Sequence, residues 1–225
     1  LLASALILSK SRGGILASAF ALVFFVILLA TRRSPAGQKE AGMALGILIA
    51  VVLVVAGQTI LNRFSYSVRD APERFELWKD TLNIIRDAPL LGAGLGSYAG
   101  IIPRYRSHPD LVFVSGIPQP AAVHFAHNDY LQLAAEAGLI GLLLLIWTIW
   151  RTWGTFWRGL ARIEDWDTLV LACSLMAAII ASMAHNLVDF NFHVPANALV
   201  FCLWLSLASI VTREQSQRSW MPSLH

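Results

Sequence analysis

Residues 137–153 read AGLIGLLLLIWTIWRTW, an apolar run whose first charged residue is Arg151. A helix of about 20 apolar residues, rising 1.5 Å per residue, crosses the roughly 30 Å hydrocarbon core of a bilayer. Four other runs are long enough, or nearly so, to do the same: 14–31, 42–60, 168–186 and 195–211. The sequence therefore predicts an all-α fold, a polytopic bundle of transmembrane helices.

The composition favours the same class. Of the 225 residues, 56% are hydrophobic and only 14% are charged, whereas a soluble domain has about 25% charged residues. The net charge of +3 is small and scattered, so no nucleic-acid partner is expected. The chain begins without a Met inside an apolar stretch, residues 1–8, which suggests the C-terminal part of a longer protein.

Basic residues set the predicted orientation. The connections 32–41 and 151–167 and the tail fall on one side by alternation and together hold eight Lys and Arg, while the connection 187–194 holds none. The positive-inside rule makes the basic side cytoplasmic. The predicted divisions are transmembrane helices in 1–60, a long periplasmic loop in 61–136, three transmembrane helices in 137–211 and a cytoplasmic tail in 212–225.

The 61–136 loop is too long for a simple connector. Its segment 70–73, Asp-Ala-Pro-Glu, is a plausible helix start. Apolar residues then recur at helical spacing: Phe75, Trp78, Leu82 and Ile85. They predict an amphipathic helix of about 15 residues that packs on the bundle or lies in the membrane interface. Segment 103–122 has four prolines and is expected to be irregular.

His127 is the main catalytic candidate from residue chemistry. Asn128 or Asp129 can cap a helix that continues into the 137–153 span, which places His127 just before a helix N-terminus. The positive end of a helix disfavours imidazolium, and a neutral imidazole can act as a general base. A structural histidine that closes the loop is the alternative. Zinc binding by His124 and His127 is disfavoured because the loop has no Cys and no H-E-x-x-H motif.

Two arginines are candidate anion ligands on the predicted outer side. Lys10 and Arg12 oppose the positive-inside rule at the outer end of the first span, which indicates either an anion site or local tolerance. Arg74 lies one helical turn from Trp78. It is interpreted either as an anion ligand or as a solvated or interfacial charge.

Two further polar stretches have both a structural and a functional interpretation. Gly92, Gly94 and Gly96 permit either a turn that re-enters the membrane surface or backbone contact to a phosphate. In the last outer turn, His185 or Asp189 could orient a site or could simply be hydrated within the turn.

The order of these motifs resembles a known superfamily. His127-Asn128, nine residues, then Gly138-Leu-Ile-Gly141 resembles the H-[N/S/Q]-x9-G-x-x-G signature of the O-antigen ligase and Wzy-type polymerase superfamily. Ser11-Arg12-Gly13-Gly14 resembles its S-R-G-G element. Arg74-x-x-x-Trp78, followed by Pro89-Leu-Leu-Gly-x-Gly94, resembles the element in its large periplasmic loop.

The resemblance implies a glycosyltransferase in the bacterial inner membrane with a periplasmic active site. Such an enzyme moves a glycan from undecaprenyl pyrophosphate to a hydroxyl of the lipid A core, a growing polysaccharide or a protein Ser. No cofactor is expected, and no metal either, because the loop shows no paired carboxylates at metal-ligand spacing; in-line attack opposite the pyrophosphate would invert the anomeric carbon. Carried over by position, His127 is the catalytic base, and Arg12 and Arg74 bind the pyrophosphate. Supporting residues are expected to be Asn128, Trp78, Gly94, His185 and Asp189.

Three alternatives remain open at this stage. A protein O-oligosaccharyltransferase would belong to the same superfamily. A transporter of lipid-linked glycans would place charges near the membrane midplane, whereas spans 14–31 and 42–60 contain none. A structural membrane subunit would have no need for two Arg and a His on one face.

Overall fold

The computed structural model describes residues 11–30, 46, 73–107, 111–114, 117–120 and 122–218. The helices are α1 Arg12–Ala30, α2 over residues 73–87, α3 Tyr98–Ile101, α4 Asp129–Leu160, α5 Trp166–His185 and α6 Pro195–Arg218. Short 3₁₀ turns cover Ile102–Arg104 and Asn191–His193. The all-α class is confirmed. The predicted span 42–60 and the apolar start at 1–8 lie outside the described residues, apart from Gly46, which is helical.

The segment predicted to be irregular contains a small hairpin. Strands β1 Leu111–Val114 and β2 Ile117–Pro120 pair antiparallel, with Leu111 opposite Pro120 and Val114 opposite Ile117. Proline is tolerated in such a pair because a strand with only one partner leaves one edge outside the ladder. The prolines therefore limit which edge of the strand can form hydrogen bonds, but they do not prevent the strand.

Four helices are long and apolar enough to cross a membrane: Gly13–Ala30, Asp129–Leu160, Trp166–His185 and Pro195–Arg213. They cover four of the five runs found in the sequence. The third begins at Asp129, as the predicted cap at Asn128 or Asp129 requires, and it continues beyond residue 153 to Leu160. The chain is a multi-pass membrane protein whose helices fit a lipid bilayer.

The chain forms two compact units. The first comprises Leu1–Asn62, Thr148–His185 and Val194–His225. In this unit α1 packs against α5, and α5 packs against α6. Aromatic rings join the end of α4 to α1, with the centroids of Phe24 and Trp153 6.1 Å apart.

The second unit comprises Arg63–Trp147 and Asn186–His193. Its core contains Leu77 and Ile84 of α2 packed with residues of α3, the turn after α3, the loop before α4 and α4 itself: Tyr98, Ile102, Ala126 and Ala135. The helix predicted in this region is present, and two residues of its predicted apolar stripe lie outside this core. Phe75 is 60% exposed and Leu82 is 42% exposed. Spacing identified the helix, but it could not tell a core-facing apolar residue from a lipid-facing or solvent-facing one.

Helix α4 is broken at Gly138, where φ is 68° and ψ is −173°. The loop before α3 replaces the helical hydrogen bonds lost there. Ala93 N and Gly94 N donate to the carbonyls of Ala135 and Glu136, both at 2.9 Å. In return, Leu139 N donates to Pro89 O at 2.8 Å and Ile140 N to Leu90 O at 3.3 Å. We call residues 89–94 and 135–140 the glycine junction.

Glycine is required at two positions of the glycine junction. A Cβ on Gly138 would lie 2.1 Å from the carbonyl oxygen of Leu90, and a Cβ on Gly92 would lie 2.4 Å from the backbone of Glu136. Both residues also have φ of 68°, which L side chains rarely adopt. Buried backbone groups must be paired, and the glycine junction pairs those that the helix break leaves without a helical partner.

Candidate functional site

His127 lies in the turn immediately before α4. Asn128 Oδ1 accepts hydrogen bonds from the backbone N–H groups of Tyr130 and Leu131, both at 3.1 Å, so Asn128 caps the helix as predicted. His127 has φ of 52°, and no other non-glycine residue in the described part of the chain has a positive φ. Such a conformation costs about 1–3 kcal/mol and is concentrated at functional sites.

The His127 ring is half-buried. Its Nδ1 is buried and has no hydrogen-bond partner within the described residues, and its centroid lies 5.2 Å from that of Phe190 in an edge-on arrangement. Burial lowers the pKa of His127, and the charge of Arg74 lowers it further, against an opposing effect of Asp189. The imidazole is therefore neutral near pH 7 and able to accept a proton.

Helix α2 contributes Arg74 and Trp78 to the same unit. Trp78 Nε1 donates to Ala126 O at 2.9 Å, which ties α2 to the residue preceding His127. Arg74 Nη1 donates to Val188 O at 2.7 Å. Val188 belongs to the turn that joins α5 to α6. The sequence predicted that Arg74 and His127 belong to one site; both lie in this unit, and the charge of Arg74 contributes to the lowered pKa of His127.

Asp189 and Gly94 occupy different parts of this unit. Asp189 Oδ1 accepts the backbone N–H of Phe190 at 2.9 Å, and its charge raises the pKa of His127. The Gly94 amide donates within the glycine junction, and the Gly96 amide donates to Glu136 Oε2 at 2.8 Å. These two amides are used inside the protein, which favours the turn interpretation of the glycine motif over a phosphate cradle.

Arg12 and His185 belong to the first unit. Ser11 Oγ accepts the Gly14 N–H at 3.1 Å and lies 3.3 Å from His185 Nε2. Ser11 therefore caps α1, and the hydroxyl also contacts the last residue of α5. Arg12 is the first residue of α1. The Ser-Arg-Gly-Gly element thus forms the start of a helix.

The sequence analysis missed a group of buried charges. His193 Nδ1 contacts Asp129 Oδ1, and His193 Nε2 lies 3.8 Å from Glu136 Oε2. The contact to Asp129, assisted by Glu136, raises the pKa of His193 to about 9. One signal was available in the sequence. Asp129 and Glu136 are two helical turns apart on one face, and buried carboxylates require a partner.

Among the described residues, no group of three or more His, Cys, Asp and Glu side chains is placed to hold a metal ion. Arg74 offers a guanidinium group, whose planar set of donors suits phosphate oxygens.

A comparison with curated proteins finds no match to the chain. A family model described as O-antigen ligase matches residues 1–146, well over half of the 225 residues. The matched range includes Arg12, Arg74 and His127, while the turn with Asp189 and His193 follows it. Together with the membrane helices, this match shows that the chain belongs to the O-antigen ligase family.

Proposed function

We propose that the protein is a glycosyltransferase of the ligase or polymerase type that takes its glycan from undecaprenyl pyrophosphate. The acceptor is a hydroxyl of the lipid A core or of a polysaccharide, at the periplasmic face of the inner membrane. The observation that carries the proposal is the half-buried imidazole of His127, whose pKa is lowered by burial and by the charge of Arg74. A general base and an anion ligand are the two groups that this transfer needs most.

In the proposed reaction, the acceptor oxygen attacks the anomeric carbon of the donor sugar. A new C–O bond forms as the bond from that carbon to the pyrophosphate oxygen breaks, and His127 takes the hydroxyl proton. Undecaprenyl pyrophosphate leaves as the anion. Because attack comes from the side opposite the leaving group, the configuration at the anomeric carbon is inverted.

Arg74 would bind the pyrophosphate. A guanidinium has five N–H donors in a planar fork that matches phosphate oxygens, and the bond to Val188 O orients this fork. Charge that develops on the leaving group is stabilised most by fixed donors in a site that excludes water. We assign Arg12 to the same pyrophosphate from the sequence resemblance and the predicted topology. We also propose that no divalent ion is needed, since the arginines supply the positive charge.

The environment of His127 supports a base rather than a purely structural histidine. A structural histidine normally satisfies its ring nitrogens, because a buried polar atom without a partner costs about 1–3 kcal/mol. His127 combines such an atom with a left-handed backbone conformation. Two local costs at one residue are typical of positions kept for function.

The test is transfer by His127→Ala with His124→Ala as the matched control. His124 is in the same segment, and its side chain is exposed. The full-length protein would be expressed in strains that lack either the O-antigen ligase or the polymerase, and lipopolysaccharide ladders would be examined. We expect His127→Ala to lower transfer by about 10²–10⁴-fold, the usual range for general base catalysis, and His124→Ala to resemble wild type.

Full transfer by a folded His127→Ala protein would reject the base. The strain that is rescued decides between ligase and polymerase, and rescue of neither would contradict both. Membranes prepared from the rescued strain can then be treated with EDTA. Unchanged transfer is the expected result, and abolition that added Mg²⁺ reverses would disprove the metal-independent mechanism.

A further inference from the structure

The turn between α5 and α6 is held at both ends by the first two turns of α4. At its start, the carbonyl of buried Asn186 accepts the N–H of Asp129 at 3.0 Å. At its end, Asp129 Oδ2 accepts the N–H of Phe192 at 2.7 Å. Asn191 Nδ2 also donates to Asn186 Oδ1 at 3.0 Å. Asp129 is thus the common anchor of a turn that is more than fifty residues away in sequence.

His193 completes this attachment with charge. Its ring lies between Asp129, whose side chain is 1% exposed, and Glu136, whose side chain is 5% exposed. Two carboxylates withdrawn from water are costly unless cations or hydrogen-bond donors accompany them. Glu136 also accepts N–H bonds from Gly96 and Gln132. His193 supplies the positive charge shared by both carboxylates.

The residues held between these anchors contact the proposed catalytic groups. Val188 O binds Arg74 at 2.7 Å. The Phe190 ring packs edge-on against His127 and stacks on Phe125, with centroids 4.3 Å apart in the second pair. Asp189, between them, acts on His127 through its charge. A displaced turn would therefore disturb Arg74 and His127 together.

We propose that His193 is a positioning residue of the transfer reaction: by joining Asp129 to Glu136 it fixes turn 186–193, which in turn places Arg74 and His127. This inference rests on the proposed function. His193 itself touches neither of those two groups in the contacts described above, so its effect passes through Val188, Asp189 and Phe190. Its raised pKa, to about 9, keeps the link cationic at neutral pH.

The experiment compares His193→Gln with wild type and with His124→Gln. Gln is uncharged and cannot bridge both carboxylates as an imidazolium does. Membranes of the rescued strain would be supplied with the undecaprenyl-pyrophosphate-linked oligosaccharide isolated from that strain. We expect kcat per folded molecule to fall by between about tenfold and about 10²-fold, the loss typical of groups misplaced by about 1 Å. We also expect the acid limb of the kcat/KM profile against pH to move, because displacement of the turn shifts Asp189 relative to His127.

A merely structural role would change the yield of folded protein and leave both kinetic quantities unaltered. Wild-type kcat with an unmoved acid limb in folded His193→Gln would thus overturn the inference. If that variant does not accumulate, Glu136→Gln weakens the same link isosterically and is judged by the same two readouts. Asp129→Asn combined with His193→Gln should lose less than the sum of the single losses, since both changes break one contact. Full activity of His127→Ala, in contrast, would refute the role of His127 as the base, and failure to rescue either strain would refute the proposed function itself.

Discussion

The glycine junction and the turn at His127 share an unusual backbone conformation but differ in residue type and in hydrogen bonding. Both place residues at positive φ beside α4, and both lie in elements that resemble superfamily motifs. In the glycine junction, the residues are glycines and four hydrogen bonds pair the backbone around the break. At the turn, a histidine adopts the unfavourable conformation and its Nδ1 is left without a partner among the described residues.

This contrast distinguishes a structural role for the glycine junction from the proposed catalytic role of the turn. The glycine junction has little polar capacity left for a ligand, because the amides of Gly92, Ala93 and Gly94 bind carbonyls within the protein. In the turn, burial and the charge of Arg74 lower the pKa of His127. Two motifs with similar backbone conformation can therefore serve different physical purposes, and substitutions should distinguish them by which property fails, folding or transfer.

The largest expected effect is on folding. Gly138→Ala would place a Cβ 2.1 Å from Leu90 O at a φ of 68°, so strain of about 1–3 kcal/mol is added to a backbone clash. We expect folded protein in detergent to fall strongly or to be lost. Gly96 has a similar φ of 73°, but a Cβ there would have nothing within 4 Å. Gly96→Ala should therefore be destabilised only by the backbone strain. Equal thermal stability of the two variants would show that the close approach at Gly138 does not matter.

A second effect concerns the acid limb of kcat/KM. The active form of His127 is neutral, so transfer falls as pH drops through its pKa, which lies below the usual 6.5. Arg74→Gln removes a charge that lowers this pKa, and the limb should move to higher pH. Asp189→Asn removes a charge that raises it while keeping the oxygen that accepts Phe190 N–H, and the limb should move to lower pH. Shifts in the same direction would contradict the electrostatic assignment.

The smallest expected effect reverses an ordinary preference. In most positions Ala is more stable than Gly, but a left-handed residue costs about 1–2 kcal/mol for any side chain with a Cβ. His127→Gly should therefore unfold at a higher temperature than His127→Ala, although both lose transfer. The exposed Gly100 in α3 supplies the control, because its Cβ would meet nothing within 4 Å and Gly100→Ala should be neutral or stabilising. A more stable Ala at position 127 would mean that the turn relaxes.

Much of the fold follows from sequence, and the reasons are physical. Long apolar runs predict spans because the bilayer sets a minimum length, and Asn128 predicts a helix start because its short side chain reaches exposed N–H groups. The glycine junction was beyond such reasoning, since backbone hydrogen bonds are made by atoms that every residue carries. The buried face of α2 was also beyond it, because Phe75 and Leu82 are as apolar as Leu77 and Ile84.

The sequence identified His127 and Arg74 as the proposed reactive residues of the candidate site, but it did not identify the residues that contact them. His127 and Arg74 stand out by residue type and by resemblance, whereas Val188 contributes only a carbonyl and Phe190 only a ring edge. His193 was overlooked because its partners are carboxylates at the start of an otherwise apolar helix. A buried Asp or Glu in or near a membrane span is expected to have a cationic partner, and here that partner lies in a short turn.

The backbone at His127 also limits which amino acids could replace it during evolution. With φ at 52°, the position tolerates glycine, and asparagine, aspartate and histidine are the other types commonly found in that region. Of these, only histidine carries a group that titrates close to neutrality. Substitutions of this histidine that fit the backbone geometry therefore introduce residues that cannot accept a proton at pH 7. Paralogues of this chain with asparagine or glycine there should be well-folded pseudoenzymes rather than enzymes of altered chemistry.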